Sequence, residues 1–504
     1  MNIAHHVARA ARTRPRQAAI VFEGQRVDYA TLDAHAARLA RSLAQAGIRR
    51  GDRVALYLPN IPAFALAYLA IQRVGAVAVS VNAMLTSEEV EYILNDSGVR
   101  IVFTVADAVE NVPRARCPAL ERIVVCEGEA DQDVALADWV AGDDVPDVMA
   151  DRSPDEPAAL LYTSGTTGAP KGATLTVGNI VVNVRTTVEV MGYTPTDKVA
   201  IFLPLFHVFA QNTMMNAAFE SGATVILFRR FEVRTILRTI EQERATLLFA
   251  VASIYVALLA TRLEDYDLSS LRFEVAGAAP LPNELVHRWQ ARLGRPINQG
   301  YGLTETSPLT NVNVPHQQRI GSVGKCIPGV EVRIVAEDDS EVPIGAWGEI
   351  CFRGPNVMQG YWNRPEESLR ALRGGWLHTG DIGRVDEDGY LFVVDRVKDM
   401  INVSGLKVWP AEVEQRIYRH PAVLEAAVYG APHRLKGEEV LADVVLKDGA
   451  TATSGDILVF CREHLAKYKV PHRVNIVTEL PKSATGKVLK RVLRERAAAV
   501  ASST

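Results

Sequence analysis

Short apolar runs alternate with stretches of helical period through the first two-thirds of the chain. Arg53 to Leu58 (RVALYL) reads as a buried strand, Ile61 to Arg73 as a helix and Ala76 to Val81 as another strand. Ala158 to Tyr162, Val199 to Leu203, Ala223 to Phe228 and Thr246 to Val251 repeat the strand pattern. Strands alternating with helices predict βαβ units and parallel sheets. From about Ile320 to Asp395 the pattern changes. Short strands (VEVRIVA, GEICFRG, YLFVVD) stand between Pro, Gly and Asp turns, predicting a small antiparallel or barrel-like unit.

The chain is 504 residues long, enough for about three structural units. With 48% hydrophobic and 23% charged residues it has the composition of a soluble globular protein. The formal charge of −4 gives no argument for nucleic-acid binding. The charge is uneven, however. Residues 396–504 carry a net +6 and the remainder −10, so a basic cap faces an acidic body and suits a polyanion at their junction. Five scattered cysteines without a C-x-x-C pair argue against a disulfide framework or zinc site and for a reducing, cytoplasmic setting. The Arg-rich start (MNIAHHVARAARTRPRQ) reads as an amphipathic first helix rather than a targeting segment. The longest apolar run, Leu247 to Ala260, is too short to span a membrane.

The sharpest chemical signal follows the strand at Ala158. Leu161-Tyr162-Thr163-Ser164-Gly165-Thr166-Thr167-Gly168-Ala169-Pro170-Lys171-Gly172 alternates small hydroxyl residues with glycines, so backbone N–H groups and hydroxyls can converge on phosphate oxygens. Lys171 adds a cation. This is not a Walker A loop: counted from Gly165, that pattern needs Gly at Pro170 and Ser or Thr at Gly172.

The string resembles the phosphate loop of the adenylate-forming superfamily, which comprises acyl-CoA synthetases, peptide-synthetase adenylation domains and luciferases. Further matching blocks follow in the same order. They are Pro204-Leu205-Phe206-His207-Val208, Gly277-Ala278-Ala279-Pro280-Leu281, Gln299-Gly300-Tyr301-Gly302-Leu303-Thr304-Glu305-Thr306, His378-Thr379-Gly380-Asp381, Asp395-Arg396-Val397-Lys398-Asp399 and Pro481-Lys482-Ser483-Ala484-Thr485-Gly486-Lys487. The resemblance implies an α/β fold: a large domain of parallel βα sheets over 1–395, with the barrel-like unit at about 320–395, and a small mobile α+β domain over 396–504. The active site would lie between them.

Implied roles follow block by block. ATP and AMP would be held by Thr163, Ser164, Gly165, Thr166, Thr167, Gly168 and Lys171, by Gly277, Ala278 and Ala279, by Gly300, Tyr301, Gly302, Thr304 and Glu305, and by Asp381, Arg396 and Lys487. The Tyr301 ring can cover adenine. Asp381 can accept from both ribose hydroxyls, and Arg396 can donate in a fork. Thr163 and Glu305 are oxygen donors for Mg²⁺. Lys487 would reach the carboxylate and α-phosphate oxygens during adenylation, stabilising charge on the pentacoordinate phosphorus. With His207, Glu305 and Thr163 it makes up the implied catalytic set. Because the carboxylate is itself the nucleophile, positioning and charge neutralisation dominate.

The acyl wall would use His207, Phe209, Thr213, Met214, Ser253, Tyr255 and Gly302, a largely apolar lining. Relatives that take malonate place an arginine where Gly300 stands, so a second carboxylate lacks its partner here. A medium- or long-chain fatty acid is the expected substrate, with aromatic acids open. Ser404, Gly405, Lys407 and Trp409 resemble the pantetheine tunnel; Lys436 and Arg434 are candidates for the CoA phosphates; Lys398 occupies the hinge position. The implied reaction makes an acyl-CoA from acid, ATP and CoA in a monomer or homodimer. Alternatives are an aryl-CoA ligase, an acyl-AMP ligase loading an acyl carrier protein, a luciferase-like oxygenase, and a non-catalytic nucleotide-binding protein.

Overall fold

The computed structural model describes residues 1–142, 148–163, 169–396, 399–433 and 436–501, the side chains of 499–501 excepted. Among these residues the strands form four sheets. The expected βα segments build two large ones. In the first, Val77–Ser80, Arg53–Leu56, Val99–Thr104 and Arg122–Val125 run parallel. Pro157–Thr163 joins them in parallel and then pairs antiparallel with Lys171–Thr176, so the phosphate-loop string connects the arms of a hairpin. In the second, Thr224–Leu227, Lys198–Ile201, Leu247–Ala250, Phe273–Ala276 and Ile297–Gly302 are parallel neighbours. Four-residue strands of this kind, apolar on both faces, are what parallel sheets covered by helices require.

The apolar run from Leu247 divides. Leu247–Ala250 is strand, and Ala252–Leu259 turns back as a helix. The first helix, His5–Thr13, buries His6, Val7 and Ala10. Pro62–Arg73 is buried from Phe64 onward, and its fully buried Arg73 pairs with Asp33. Thr176 caps Val177–Met191 through a reciprocal bond with Asn179, which leaves the apolar Val177 fully buried at the first helical position.

The small β unit is a four-stranded antiparallel sheet, ordered Glu331–Val335, Gly348–Arg353, Leu377–Val385, Leu391–Arg396. Its described pairings run in one line, and none among the described residues closes it into a barrel. Residues 401–497 have apolar clusters of their own, one around Val408, Val428 and Ile457 and one around Leu441, Leu480 and Leu493. The mixed architecture, a large parallel-sheet body with a smaller α+β portion, matches the expectation. No helix is long and apolar enough to cross a membrane among the described residues.

Candidate active site

The chemistry-bearing residues gather at the carboxyl ends of the parallel strands, where open α/β sheets offer crevices. Thr163 ends one strand, Gly277 follows another, and Gly300, Tyr301 and Gly302 end a third. Gly302 must be glycine because a Cβ there would lie 1.9 Å from the Pro308 carbonyl oxygen. Ala278, exposed on the turn after its strand, holds a left-handed φ of 63°. Backbone strain of that kind clusters at functional sites.

Tyr301, Asp381 and Arg396 form one wall. The Tyr301 hydroxyl donates to Asp381 Oδ2 at 2.5 Å, and Arg396 Nε lies 3.2 Å from Oδ1. Asp381 and Arg396 face each other as cross-strand partners. Burial pushes the Asp381 carboxyl up, with Arg396, the Tyr301 hydroxyl and Lys487 opposing the shift. Its buried Oδ1 accepts no hydrogen bond among the described residues, leaving an acceptor open to a ligand hydroxyl.

The turn that carries Asp381 is clamped from the neighbouring strand. Glu349 accepts from the Gly380 N–H at 2.9 Å and bonds His378 Nδ1 at 3.0 Å, and Cys351 Sγ lies 3.3 Å from the same nitrogen. Arg373 lies 3.4 Å from the Glu349 carboxylate. With both carboxylate oxygens engaged, the Glu349–Cys351–His378 group is a hydrogen-bonded clamp. Thr379 Oγ1 donates to the Ile350 carbonyl and accepts from the Asp381 N–H, completing the turn.

A second cluster surrounds Glu305. Tyr361, in an edge strand paired to Lys171–Thr176, donates to Glu305 Oε1 at 2.8 Å. Its ring lies 5.5 Å from Lys171 Nζ, which also stands 3.7 Å from Glu367 Oε1. Thr163 is half-buried, with its hydroxyl 3.5 Å from the Lys171 carbonyl. Thr304 is half-buried beside Glu305. Ser164, Gly165, Thr166, Thr167 and Gly168 lie outside the described residues, as do Lys398 and Arg434. The flanks of the loop are anchored: Tyr162 donates to Asp96 at 2.7 Å, and Tyr92 donates to the Pro170 carbonyl at 3.0 Å. Arg364 ties Tyr92 to Asp96.

Lys487 comes from the other side. Its loop meets the helix Ala252–Leu259, where Ser253 Oγ donates to the Gly486 carbonyl at 2.9 Å. The ammonium is close enough to act on both His207 and Asp381. Burial, with Lys487 adding to it, pushes His207 down to about 4, so the ring is neutral near pH 7. His207 Nδ1 accepts from the Phe209 N–H at 3.2 Å, which places the proton of the neutral ring on Nε2.

The acyl residues separate into two groups. Phe209 stands over Gly277, where an added Cβ would lie 3.2 Å from the ring, and packs edge-to-face with Phe249 at 6.0 Å between centroids. Ala279 is half-buried next to it. Thr213 and Met214 are fully buried on the same irregularly wound helix, Phe209–Asn216. Tyr255 departs from its expected role. It is fully buried, donates to the Val275 carbonyl at 3.0 Å and packs edge-on against Trp289, so its contacts are to the core. Ser253 is half-buried and binds the Lys487 loop.

The thiol-side residues stand apart. Ser404 and Gly405, at φ 53° and 86°, make the two-residue turn of a hairpin that needs left-handed residues at both places. A Cβ on Gly405 would meet nothing, so the glycine serves the turn here. Ser404, Gly405, Lys407 and Lys436 are exposed and Trp409 is half-buried. Lys407 lies 3.8 Å from Glu337. Sequence reasoning missed Tyr361, Glu367, Glu349 and Asp96. Each acts through a contact distant in sequence, and only the occurrence of Glu349 within the strand-like GEICFRG hinted at any of them.

Comparison with known proteins agrees with this geometry. Residues 7–362 match the family described as AMP-binding enzyme, and 412–487 match the AMP-binding enzyme C-terminal domain. A feruloyl-CoA synthase from Amycolatopsis sp is 39% identical over 493 residues, covering 97% of each chain. A long-chain-fatty-acid–CoA ligase from Salmonella typhimurium is 35% identical, covering 95% of this chain and 92% of its own. The crystal structure of the anthranilate CoA ligase AuaEII in complex with anthranoyl-AMP superposes with a TM-score of 0.95 at 30% identity, covering 100% of this chain and 98% of that one. The chain belongs to the AMP-binding enzymes, as an acyl- or aryl-CoA ligase that works through an adenylate.

Proposed function

We propose that the protein joins an apolar monocarboxylic acid, a planar aromatic one in preference, to CoA, with AMP and pyrophosphate released. The observation that carries this reading is the Phe209 ring standing over Gly277, where an added Cβ would lie 3.2 Å from it. The ring presents an apolar wall beside the Gly277–Ala279 turn. Phe249 packs against that ring and, like Thr213 and Met214, is fully buried, so an acid reaching past Phe209 has to displace packed core. Gly300 supplies no cation for a second carboxylate. A feruloyl-CoA synthase and an anthranilate ligase among the similar proteins support the aromatic choice. A medium- or long-chain fatty acid is the second reading, supported by the fatty-acid ligase.

In this reading Tyr301 covers adenine, Asp381 and Arg396 hold the ribose, and Lys171 with residues 164–168 holds the β- and γ-phosphates. The donor set suits Mg²⁺: Glu305 offers carboxylate oxygen from the short helical turn Thr304–Thr306 and Thr163 a hydroxyl at a strand end, both hard ligands. The ion would neutralise phosphate charge. Neutral His207, with its proton on Nε2, lines the acid side, and Lys487 completes the charge compensation. The proposed domains meet near Asp395, with Lys398 as the pivot. The test is pyrophosphate release with ferulate, anthranilate, octanoate, palmitate and malonate, with and without CoA. Aromatic acids are expected to have the highest kcat/KM and malonate the lowest. Preference for palmitate would replace the aromatic reading with the second one, and activity with none of them would refute the proposal.

A further inference from the structure

Beyond the junction at Asp395, two hydrogen-bonded side-chain contacts among the described residues tie the segment after residue 396 to the body. One is the Ser253 hydroxyl on the Gly486 carbonyl, 2.9 Å, adjacent to Lys487. The other is Gln415, on the helix Pro410–Ile417. Its Oε1 accepts from the Asn283 N–H at 3.1 Å, and its Nε2 donates to the Leu281 carbonyl at 3.3 Å. Asn283 is the first residue of the helix Asn283–Leu293, which has Pro282 as its cap residue and no side-chain cap bond. Its N–H is one of the orphan donors of a helix start, and Gln415 satisfies it from 132 residues away. Gly486, at φ 80°, fits under Ser253 because it lacks a Cβ: one added there would lie 2.9 Å from Ser253 Oγ and 3.0 Å from Val251.

Neither residue bonds Tyr301, Asp381 or Arg396 among the described residues. Both bonds hold the arrangement in which Lys487 faces His207 and Asp381 while the Ser404–Gly405 turn stands exposed. We infer that Gln415 and Ser253 are positioning residues, a two-point latch that favours the arrangement presenting Lys487 to the acid. This rests on the ligase reading above. A group that binds one of two arrangements shifts the population toward it, and only by its differential bonding. The latch therefore raises the rate of acid activation and contributes nothing to the capture of acyl-AMP by the thiol.

The experiment compares Gln415→Ala, Ser253→Ala and the double variant with wild type in the two half-reactions. One is acid-dependent pyrophosphate release at saturating ATP and acid. The other is thioester formation from supplied acyl-AMP and CoA. Three net hydrogen bonds lost in the double variant predict a fall of roughly tenfold or more in the first rate, with KM for the acid unchanged and the second rate within about twofold of wild type. Gln415→Glu keeps the acceptor for Asn283 and should recover part of the loss. An equal fall in both half-reactions, or an undiminished first rate, would overturn the latch. A changed KM for the acid in Ser253→Ala would make Ser253 an acyl contact instead. Wild type inactive in both reactions would refute the ligase reading, not the latch.

Discussion

The wall around Asp381 and the loop around Lys487 face one site but are built in opposite ways. Asp381 is 5% exposed, and it is bonded to Tyr301, backed by Arg396 and held on a turn that Glu349 clamps. Lys487 is exposed, on a loop whose bonds to the body include one serine hydroxyl at Gly486. The wall is rigid because strand pairing and buried hydrogen bonds fix each member. Buried acceptors left unpaired are costly, so Asp381 keeps its geometry in waiting for a ligand. The loop's Lys487, by contrast, is exposed, and in the proposed reaction its charge is needed in one step only. A preorganised binding surface and a delivered cation are thus separate inventions in one active site, and they should fail separately.

The largest effect should come from the loop. Lys487→Ala is expected to lower thioester formation from acid and ATP by roughly a hundred- to a thousandfold, the scale of a lost transition-state charge contact. AMP affinity measured by calorimetry should change little by comparison. Loss of AMP affinity in step with rate would erase the distinction between the two regions.

The wall should fail through nucleotide binding. If Asp381 accepts from the ribose hydroxyls as proposed, Asp381→Asn removes a charged acceptor, and kcat/KM for ATP should drop by about ten- to a hundredfold. The same group makes a pH prediction. Burial raises the Asp381 pKa, so it protonates at higher pH than an ordinary carboxyl as acid is added. Activity at limiting ATP should fall on the acidic side, and this limb should be weaker in Asp381→Asn. A limb unchanged by the substitution would assign it elsewhere.

Much of this division was legible in the sequence. The strands at Val77, Thr224 and Leu247 were visible because both of their faces are buried, leaving apolar runs between polar turns. Asp381, Arg396, Tyr301 and Lys487 were visible through resemblance, since each sits in a short string of fixed spacing. The clamp was not. Glu349 and Gly380 meet across a strand pair 31 residues apart, and nothing in either string specifies that register. Tyr255 looked like a pocket residue by its neighbourhood, but a helix turns successive side chains through about 100°, so Ser253 faces the loop and Tyr255 the core. The wide winding at Phe209–Asn216 also left no periodic trace.

A smaller effect is expected at Tyr361. Tyr361→Phe removes the hydrogen bond to Glu305 and should raise the Mg²⁺ concentration needed for half-maximal rate by roughly fivefold, leaving the Asp381 limb of the pH profile in place. An unchanged Mg²⁺ requirement would separate Glu305 from the metal.

The most direct test of the central claim supplies the intermediate. Purified Lys487→Ala is given synthetic acyl-AMP and CoA, and thioester formation is followed in single turnover. If Lys487 serves acid activation alone, the rate stays within about twofold of wild type while the same preparation releases almost no pyrophosphate from acid and ATP. If thioester formation falls as far as pyrophosphate release in a folded protein, the wall and the loop are one machine, and the account is wrong.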